Sequence, residues 1–216
     1  MDSERVERSD RPGRPYQSVR RTQAAADTRA TILSTAMRLF LEQGYGKVTV
    51  NDIANEACLA VPTVYASAGG KSAILSTLIG EALGDPVIDE TLAAIRECDS
   101  PHDVIRVTAH GVRVDNERYH DIVQVMKSAA AIDETAAAIL LRSDDQYRED
   151  LAHAARRLQD MHALKPELNQ QSAIDILWFY FGRDAWHLFV CDQQWTWDQA
   201  ERWLSEQTST ALLHAG

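Results

Sequence analysis

Apolar residues recur every three or four positions along most of the chain, the spacing that places them on one face of an α-helix. The first such stripe predicts a helix over residues 27–43, and Gly44 would end this helix as a left-handed cap. Its apolar positions are Ile32, Leu33, Ala36, Leu39 and Phe40. The pattern therefore predicts a helix that packs through one side.

Residues 49–67 predict two short helices joined by a tight turn at residues 58–60. Thr49 supplies a capping hydroxyl for the first helix, whose apolar positions keep helical spacing. The second helix covers about residues 61–67. It spans roughly 10 Å at 1.5 Å per residue and fits across a DNA major groove. This arrangement predicts a helix-turn-helix that binds DNA sequence-specifically.

The second helix carries uncharged side chains that would point away from the small core. Its apolar residues suit contacts with thymine methyl groups, and its short hydroxyls suit hydrogen bonds to base edges. Tyr65 and Lys71 suit phosphate contacts. The alternative is that Pro62 only begins a helix and that Tyr65 is a core ring with a solvated hydroxyl. The predicted DNA-binding residues are Arg14, Thr49, Asn51, Val61, Pro62, Thr63, Tyr65, Ser67 and Lys71.

Residues 29–78 resemble the DNA-binding domain of the TetR family of transcriptional regulators. The matching positions are Arg29, Ile32, Leu33, Ala36, Leu39, Phe40, Gly44, Tyr45, Thr49, Ile53, Ala54, Ala57, Thr63, Tyr65, Lys71 and Leu75. Three positions depart from the family pattern, since Cys58 replaces a turn glycine, Ala60 a capping hydroxyl and Ala68 a packed aromatic residue. The resemblance implies a helical DNA-binding repressor.

Beyond Lys71 the same spacing predicts further helices over residues 71–83, a shorter segment to 97, 101–114, 117–130, 133–163, 170–192 and 196–213. The predicted class is all-α, with a three-helix helix-turn-helix domain followed by a larger helical ligand-binding and dimerisation domain. The predicted divisions are a disordered basic arm at 1–26, the DNA-binding domain at 27–72 and the larger domain at 73–216.

The net charge of −10 taken alone argues against a nucleic-acid binder, but the acidic residues concentrate away from the predicted motif. Residues 1–26 hold six Arg and four acidic residues, residues 27–72 hold four of each sign, and residues 73–216 hold 12 basic and 24 acidic residues. The Gly-Arg-Pro around Arg14 resembles peptides that enter an A·T-rich minor groove. The alternative for this arm is a solvated tail.

The chain of 216 residues contains no apolar run near the roughly twenty residues of a membrane span and opens without a hydrophobic signal segment. Its three cysteines, Cys58, Cys98 and Cys191, are odd in number and far apart, which predicts reduced thiols in the cytoplasm.

The last two predicted helices carry most of the large apolar residues, on more than one face. The resemblance implies that these helices form a four-helix homodimer interface. The two DNA-binding domains of such a dimer would bind a near-palindromic operator, with half-sites about 34–36 Å apart or a multiple of that. The alternative is that they fill the core of one chain. The predicted interface residues are Trp178, Phe181, Ala185, Leu188, Phe189, Ala200, Trp203, Leu204 and Leu212.

The resemblance also implies an effector pocket among the middle helices, suited to a flat apolar or aromatic ligand. Such a ligand must favour a state in which the two heads are wrongly spaced for DNA. The alternative for each residue is an ordinary core position. The predicted lining residues are His110, Tyr119, Met126, Tyr147, Trp178 and Tyr180.

The sequence lacks a phosphate-binding glycine loop and a nucleophile elbow, so neither an enzyme nor a cofactor is predicted. His110, Asp115, Glu117 and His120 are close in sequence, but their spacing matches no metal motif, and no metal site is predicted.

Together these features predict a homodimeric repressor that binds a double-stranded DNA operator and is released by a small molecule. Two alternatives stay open: a regulator that acts through a protein partner without a small-molecule response, and a helical binding protein with a vestigial head.

Overall fold

The computed structural model describes residues 15–83 and 86–214, with side chains over 21–81 and 86–214. Within these residues the secondary structure is helical apart from one isolated β-bridge between Leu164 and Leu213, which confirms the predicted all-α class. The elements are α1 (Pro15–Gln43), α2 (Val50–Glu56), α3 (Val61–Ala68), α4 (Lys71–Leu83), α5 (Val87–Glu97), α6 (Pro101–Ala130), α7 (Glu134–Asp160), α8 (Gln170–Phe181), α9 (Arg183–His187), a π-helical turn (Leu188–Asp192) and α10 (Trp197–Leu212).

Helices α1 to α3, here called the head, pack around one apolar core that also includes the start of α4. The left-handed cap predicted at Gly44 is present, with a φ of 83° and an amide that donates to the Phe40 carbonyl over 3.0 Å. Thr49 caps α2 as predicted, in a reciprocal capping box with Asp52. The core residues of the head include Ile32, Phe40, Tyr45, Ile53 and Val64.

Helix α1 begins at Pro15, twelve residues before its predicted start, so residues 15–26 are helical and not part of a disordered arm. The physical reason is the run Ala24-Ala25-Ala26, because alanine has the highest helix propensity and extends a helix already fixed by packing. Residues 1–14, which include Arg14, lie outside the described residues.

Two further helix predictions are corrected. The predicted helices at 101–114 and 117–130 are one helix, α6. The helix continues through the buried Asn116 because the side-chain amide of this residue finds hydrogen-bond acceptors there. The Asn116 amide donates to the Val112 carbonyl over 2.8 Å and to the Tyr147 hydroxyl over 3.0 Å. A polar residue at the predicted break is therefore accommodated by tertiary contacts.

The predicted helix at 170–192 is instead three pieces, α8, α9 and the π-helical turn. The Phe181 carbonyl accepts hydrogen bonds from the Tyr147 hydroxyl at 2.7 Å and from the Trp186 indole at 3.1 Å. It is therefore not used by the Ala185 amide, which bonds to the Gly182 carbonyl at 3.1 Å. At Gly182 an added Cβ would lie 2.4 Å from the Trp178 carbonyl oxygen, so the bend requires glycine.

Helices α5 to α10, here called the body, enclose a second apolar core. The cores are not isolated from each other, because Ile122, Val125, Met126 and Ala129 of α6 pack into the head core. Among the described residues, no helix combines the length and hydropathy required to cross a membrane.

Candidate DNA-binding face and body cavities

Helix α3 is held in the head by Val64 and Ala68, which are both buried. Its N-cap, Ala60, makes no side-chain hydrogen bond, and Pro62 lies in the first turn, where its missing amide proton costs nothing. The helix ends at Gly69, whose φ of 79° is the left-handed conformation that glycine adopts without strain. The turn before α3 places Cys58 at a φ of 55°, which explains why glycine is usual there in the resembled family.

The opposite side of α3 is open and uncharged. The Tyr65 side chain is 55% exposed, so this ring is not a core ring. Pro62 is exposed beside it, and Asn51 is exposed on α2. The remaining predicted contact residues on this helix are half-buried: Val61, Thr63 and Ser67.

Thr49 and Lys71 form contacts inside the protein. The Thr49 hydroxyl donates to Asp52 Oδ2 over 2.7 Å and accepts the Asp52 amide over 3.2 Å. The bonds that the Thr49 hydroxyl and the Thr49 amide donate to this carboxylate lower the pKa of Asp52. Lys71 Nζ donates to the Tyr45 carbonyl over 2.9 Å and lies 4.2 Å from the centre of the Tyr45 ring. Both residues therefore position the head, whatever they contribute to a phosphate contact.

Lys47 is a basic residue that sequence reasoning missed. It is exposed in the turn that leads into α2, two residues before the capping Thr49. An exposed lysine carries the kind of charge that binds DNA phosphates. The sequence feature that could have identified Lys47 is its position just before the predicted N-terminus of a helix.

A group of hydrogen bonds joins the head to the first turn of α7. Asp133, the N-cap of α7, accepts from the Thr135 and Ala136 amides. Its other oxygen accepts from the Tyr45 hydroxyl at 2.8 Å and from the Ser72 hydroxyl at 2.9 Å. These bonds, that from Tyr45 first, lower the pKa of Asp133.

The body contains a cavity of about 50 Å³ between α5, α6 and α7. Its wall is mostly apolar and includes Leu92, Ile95, Val112 and Leu151. The same region opens into a groove of about 860 Å³ that extends to α4. A groove of this size is in the range that holds small molecules.

Two aspartates and one phenol are the ionisable groups common to the cavity and the groove, and the groove is also lined by Arg142, His153 and Arg183. Asp115, Tyr147 and Asp150 line both spaces. Burial raises the pKa of Asp150, although this carboxylate accepts from Gln146 Nε2 over 3.1 Å. Burial also raises the pKa of Tyr147. Asp115 and Asp150 were not predicted as cavity residues. The sequence feature that could have identified them is a charged residue on the apolar face of a helix.

The six predicted effector residues lie at four different places. Tyr147 lines the cavity itself, and Tyr119 and Met126 line a smaller neighbouring space. His110 is exposed, with Nδ1 3.2 Å from Glu201 Oε1. Trp178 and Tyr180 line a separate groove beside α10. The structure therefore does not bring the six together.

The predicted dimer residues divide into two groups. Four are fully covered within one chain, because they form its core, and have no side-chain surface left for a partner: Phe181, Ala200, Leu204 and Leu212. The others remain at least partly accessible: Trp178, Ala185, Leu188, Phe189 and Trp203. Phe179, which was not predicted, is 71% exposed and lines the same groove as Leu188.

The residues of the head match a known family. Residues 32–78 match the model described as bacterial regulatory proteins, tetR family. The chain carries the DNA-binding domain of the tetR family of bacterial regulatory proteins. Members of this family are transcriptional regulators and not enzymes, in agreement with the prediction from sequence.

Solved structures of TetR-type regulators share the fold over nearly the whole chain. SmeT bound to triclosan is 21% identical, with a TM-score of 0.70 over 88% of this chain and 93% of that one. SmeT is the repressor of the Stenotrophomonas maltophilia multidrug efflux pump SmeDEF. NalD, the secondary repressor of the MexAB-OprM multidrug efflux pump in Pseudomonas aeruginosa, is 15% identical, with a TM-score of 0.70 over 90% and 100%.

The fatty acid degradation regulator FadR from Bacillus halodurans is 16% identical, with a TM-score of 0.69 over 87% of this chain and 97% of that one. At these identities the similarity establishes the TetR-type fold alone. No curated protein matches the chain by sequence.

Proposed function

We propose that this TetR-family chain is a homodimeric repressor that binds a near-palindromic DNA operator and is released by a small molecule bound in the body. The main support for DNA binding is the uncharged outer side of α3, which exposes Pro62 and the 55% exposed Tyr65. This helix belongs to a head that matches the tetR family model. The three unpaired cysteines fit a protein that acts in the reducing cytoplasm.

Contacts with the base edges are assigned to α3, and contacts with the DNA phosphates are assigned to the residues around it. The eight residues of α3 span about 12 Å, which matches the width of the major groove. Thr63 and Ser67 offer hydroxyls to base edges, and Tyr65 and Lys47 offer donors to phosphates. Because the phosphate contacts are few, the affinity should fall only moderately with added salt.

The test is selection of binding sites from a random duplex library, followed by affinity measurements on the enriched site. A two-fold symmetric motif is expected. Thr63→Ala should weaken binding roughly 5- to 100-fold and relax the preference at one base position. Tyr65→Phe should weaken binding about 5-fold at all sequences. Tyr180→Phe, a tyrosine of the body, is the matched control and should bind as wild type. Failure to enrich any motif at low salt, with folded dimeric protein, would contradict the proposal.

The homodimer is assigned to the accessible face of α8, the π-helical turn and α10. Phe179 and Leu188 are exposed by 71% and 46% and line one groove of about 520 Å³ with Trp178, Phe189 and Trp203. An exposed apolar groove of this size is costly in a monomer and is typical of an interaction surface. Phe179→Asp should convert the dimer to a monomer in analytical ultracentrifugation. Leu141→Asp, which changes a 66% exposed leucine on α7, is the control and should remain dimeric.

The effector is assigned to the cavity and groove between α5, α6 and α7. Its apolar wall suits an aromatic or aliphatic body, and Asp115, Asp150 and Tyr147 suit a polar end that donates hydrogen bonds. Burial disfavours the ionised form of Asp150, and a bound ammonium group would restore it. The chemical class that fits best is therefore an apolar amine.

Helix α7 offers the connection from this cavity to the head. Tyr147 and Asp150 lie on the part of α7 that lines the cavity, and Asp133 at the start of the same helix accepts hydrogen bonds from Tyr45 and Ser72. A ligand that shifts α7 would disturb these two bonds. Such a ligand releases DNA only if it binds the shifted state more tightly than the DNA-bound state.

The test uses arylalkyl amines, which are protonated at neutral pH, and their neutral isosteres, added to the protein on a fluorescent operator. The amines should release the DNA and the isosteres should not. Asp150→Asn should lose this discrimination, whereas Asp145→Asn, which changes an exposed aspartate of the same helix, should keep it. Equal release by amines and isosteres would contradict the assigned class.

One observation favours a second function. The cavity of about 50 Å³ has room for only a few waters, so an effector must extend into the open groove or widen the cavity. A regulator that responds to a protein partner instead of a small molecule would not need a wider cavity. Release of the operator by none of the compounds would favour this reading.

A further inference from the structure

His120 of α6 meets His187 and Cys191, which lie four residues apart and far along the chain from it. One ring nitrogen from each of His120 and His187 and the sulfur of Cys191 all lie within 4.8 Å of one another. The Cys191 Sγ is 3.3 Å from His120 Nε2. The two imidazole rings are stacked, with centroids 5.5 Å apart and planes inclined by 7°.

We propose that His120, His187 and Cys191 form a binding site for a zinc-type transition-metal ion, which the assignment of the chain as a repressor does not involve. Imidazole nitrogen and thiolate sulfur are the ligands that Zn²⁺ prefers, whereas Mg²⁺ and Ca²⁺ require oxygen. With Zn–N near 2.0 Å and Zn–S near 2.3 Å, tetrahedral ligands are about 3.5 Å apart. The observed separations thus require movements of about 1 Å at most.

The local backbone explains why these side chains meet. His187 ends α9 and Cys191 lies four residues later in the π-helical turn, so both emerge on one side of the chain. His120 faces them from α6. π-Helical turns are rare and are frequently found at functional sites.

The buried Nδ1 of His187 has no hydrogen-bond partner among the described residues. An unpaired buried nitrogen is costly, and coordination of an ion would remove this cost. The other nitrogen, Nε2, lies 3.9 Å from Asp192 Oδ1. With Nδ1 on the metal, a small rotation would let Nε2–H donate to Asp192, the arrangement that orients many metal-binding histidines.

Two tryptophans lie next to the three side chains. The edge of Trp197 meets the His120 ring at 6.3 Å, and Trp197 stacks on the buried Trp186 at 5.9 Å. This arrangement places an indole where a bound transition-metal ion would quench its fluorescence. A solvent molecule would complete four-coordination.

Binding would deprotonate Cys191, because the thiolate and not the thiol is the metal ligand. One proton per ion is released to solvent, and no bond other than S–H is broken. The ion would also link α6 to α9 and the π-helical turn. It should therefore raise the unfolding temperature of the full chain.

The first test is titration of the reduced, metal-free full-length protein with Co²⁺, a spectroscopic substitute for Zn²⁺. We expect one Co²⁺ per chain, a sulfur-to-cobalt charge-transfer band, quenching of tryptophan fluorescence, and displacement by one equivalent of Zn²⁺. Cys191→Ser should abolish the charge-transfer band. His120→Gln and His187→Gln should each weaken Zn²⁺ binding by more than the roughly 10- to 100-fold that loss of an outer-shell partner causes.

The matched controls change residues of the same type elsewhere. Cys58→Ser replaces an exposed cysteine of the head, and His110→Gln an exposed histidine of α6; both should bind like wild type. A charge-transfer band that persists in Cys191→Ser would overturn the proposal. Equal Zn²⁺ affinity in wild type and all three ligand variants would also overturn it, as adventitious binding at the surface.

A second measurement needs no variant and so does not depend on how the variants fold. Zn²⁺ should protect Cys191 from alkylation, as measured by mass spectrometry of the peptides, and leave the exposed Cys58 as reactive as before. The same alkylation rate of Cys191 with and without Zn²⁺ would refute the site.

Discussion

The interior of the head is apolar, whereas the interior of the body contains polar side chains among its apolar ones. Among the described residues, the buried polar or charged side chains are all in the body: Thr108, Asn116, Ser143, Arg183 and Thr208. The body also holds every buried side-chain nitrogen that lacks a partner among those residues: Arg113 Nε, Arg157 Nε and His187 Nδ1. Because such groups are costly to bury, the two regions must be stabilised differently.

This difference agrees with the function proposed above. A small apolar core held by packing keeps α3 in one position, which a DNA-reading helix requires. In the body, polar groups such as Tyr147 and Arg183 hold each other in a low-dielectric interior, where they can also respond to a ligand. The Arg183 guanidinium lies 4.8 Å from the centre of the Tyr147 ring and donates to Ser143 Oγ over 2.9 Å.

The largest effect is expected from removal of apolar volume in the head. Ile53 is fully buried, so Ile53→Ala should lower the free energy of unfolding by about 2–5 kcal/mol in urea titrations. Ile132→Ala, at a position that is 65% exposed, is the control and should change it by less than about 0.5 kcal/mol. Similar losses in both variants would show that packing does not dominate in the head.

In the body, removal of one hydroxyl should be enough to destabilise the protein. Tyr147→Phe leaves the Asn116 amide and the Phe181 carbonyl each without one hydrogen bond, which should cost about 1–3 kcal/mol. The same change at the half-buried Tyr180 is the control. If Tyr147→Phe unfolds at the same urea concentration as wild type, polar contacts are not what stabilises the body.

The junction of the two regions should respond to pH. The hydrogen bonds of Asp133 lower its pKa in the folded state, so its contribution is present above the unfolded pKa of about 3.9 and is lost as pH falls through the folded pKa. At neutral pH, Asp133→Ala should cost about 0.5–2 kcal/mol, as loss of an N-cap does.

Unfolding in urea at neutral and acidic pH measures this contribution. The difference between wild type and Asp133→Ala should shrink towards low pH. A difference that does not vary with pH would mean that the carboxylate is not what links α7 to the head.

The smallest effect concerns backbone strain, which should not depend on the region. Cys58 in the head and His162 in the body have φ values of 55° and 53°. Replacement of either by glycine should stabilise the protein by about 0.5–1 kcal/mol, because glycine adopts this conformation without strain. Cys58→Ala should bring no such gain. Thermal unfolding of the three variants would show whether the two turns are equally strained.

The sequence by itself determined the elements whose signals are local. Apolar stripes placed the helices, and Gly44 and Thr49 marked helix ends that the structure confirms. The head could be recognised because its motif spans fewer than fifty consecutive residues. Its boundaries with the rest of the chain stay predictions.

Tertiary structure alone decided the features that join distant residues. The bend at Gly182 depends on Tyr147, 35 residues earlier, and on Trp186, which both occupy the Phe181 carbonyl. Phe181 and Leu204 are core residues and Phe179 is an exposed one because of how α8 packs, which periodicity cannot specify when apolar residues occur on several faces. His120 meets His187 and Cys191 for the same reason. Local hydrogen bonding sets the helices, whereas burial depends on all of them at once.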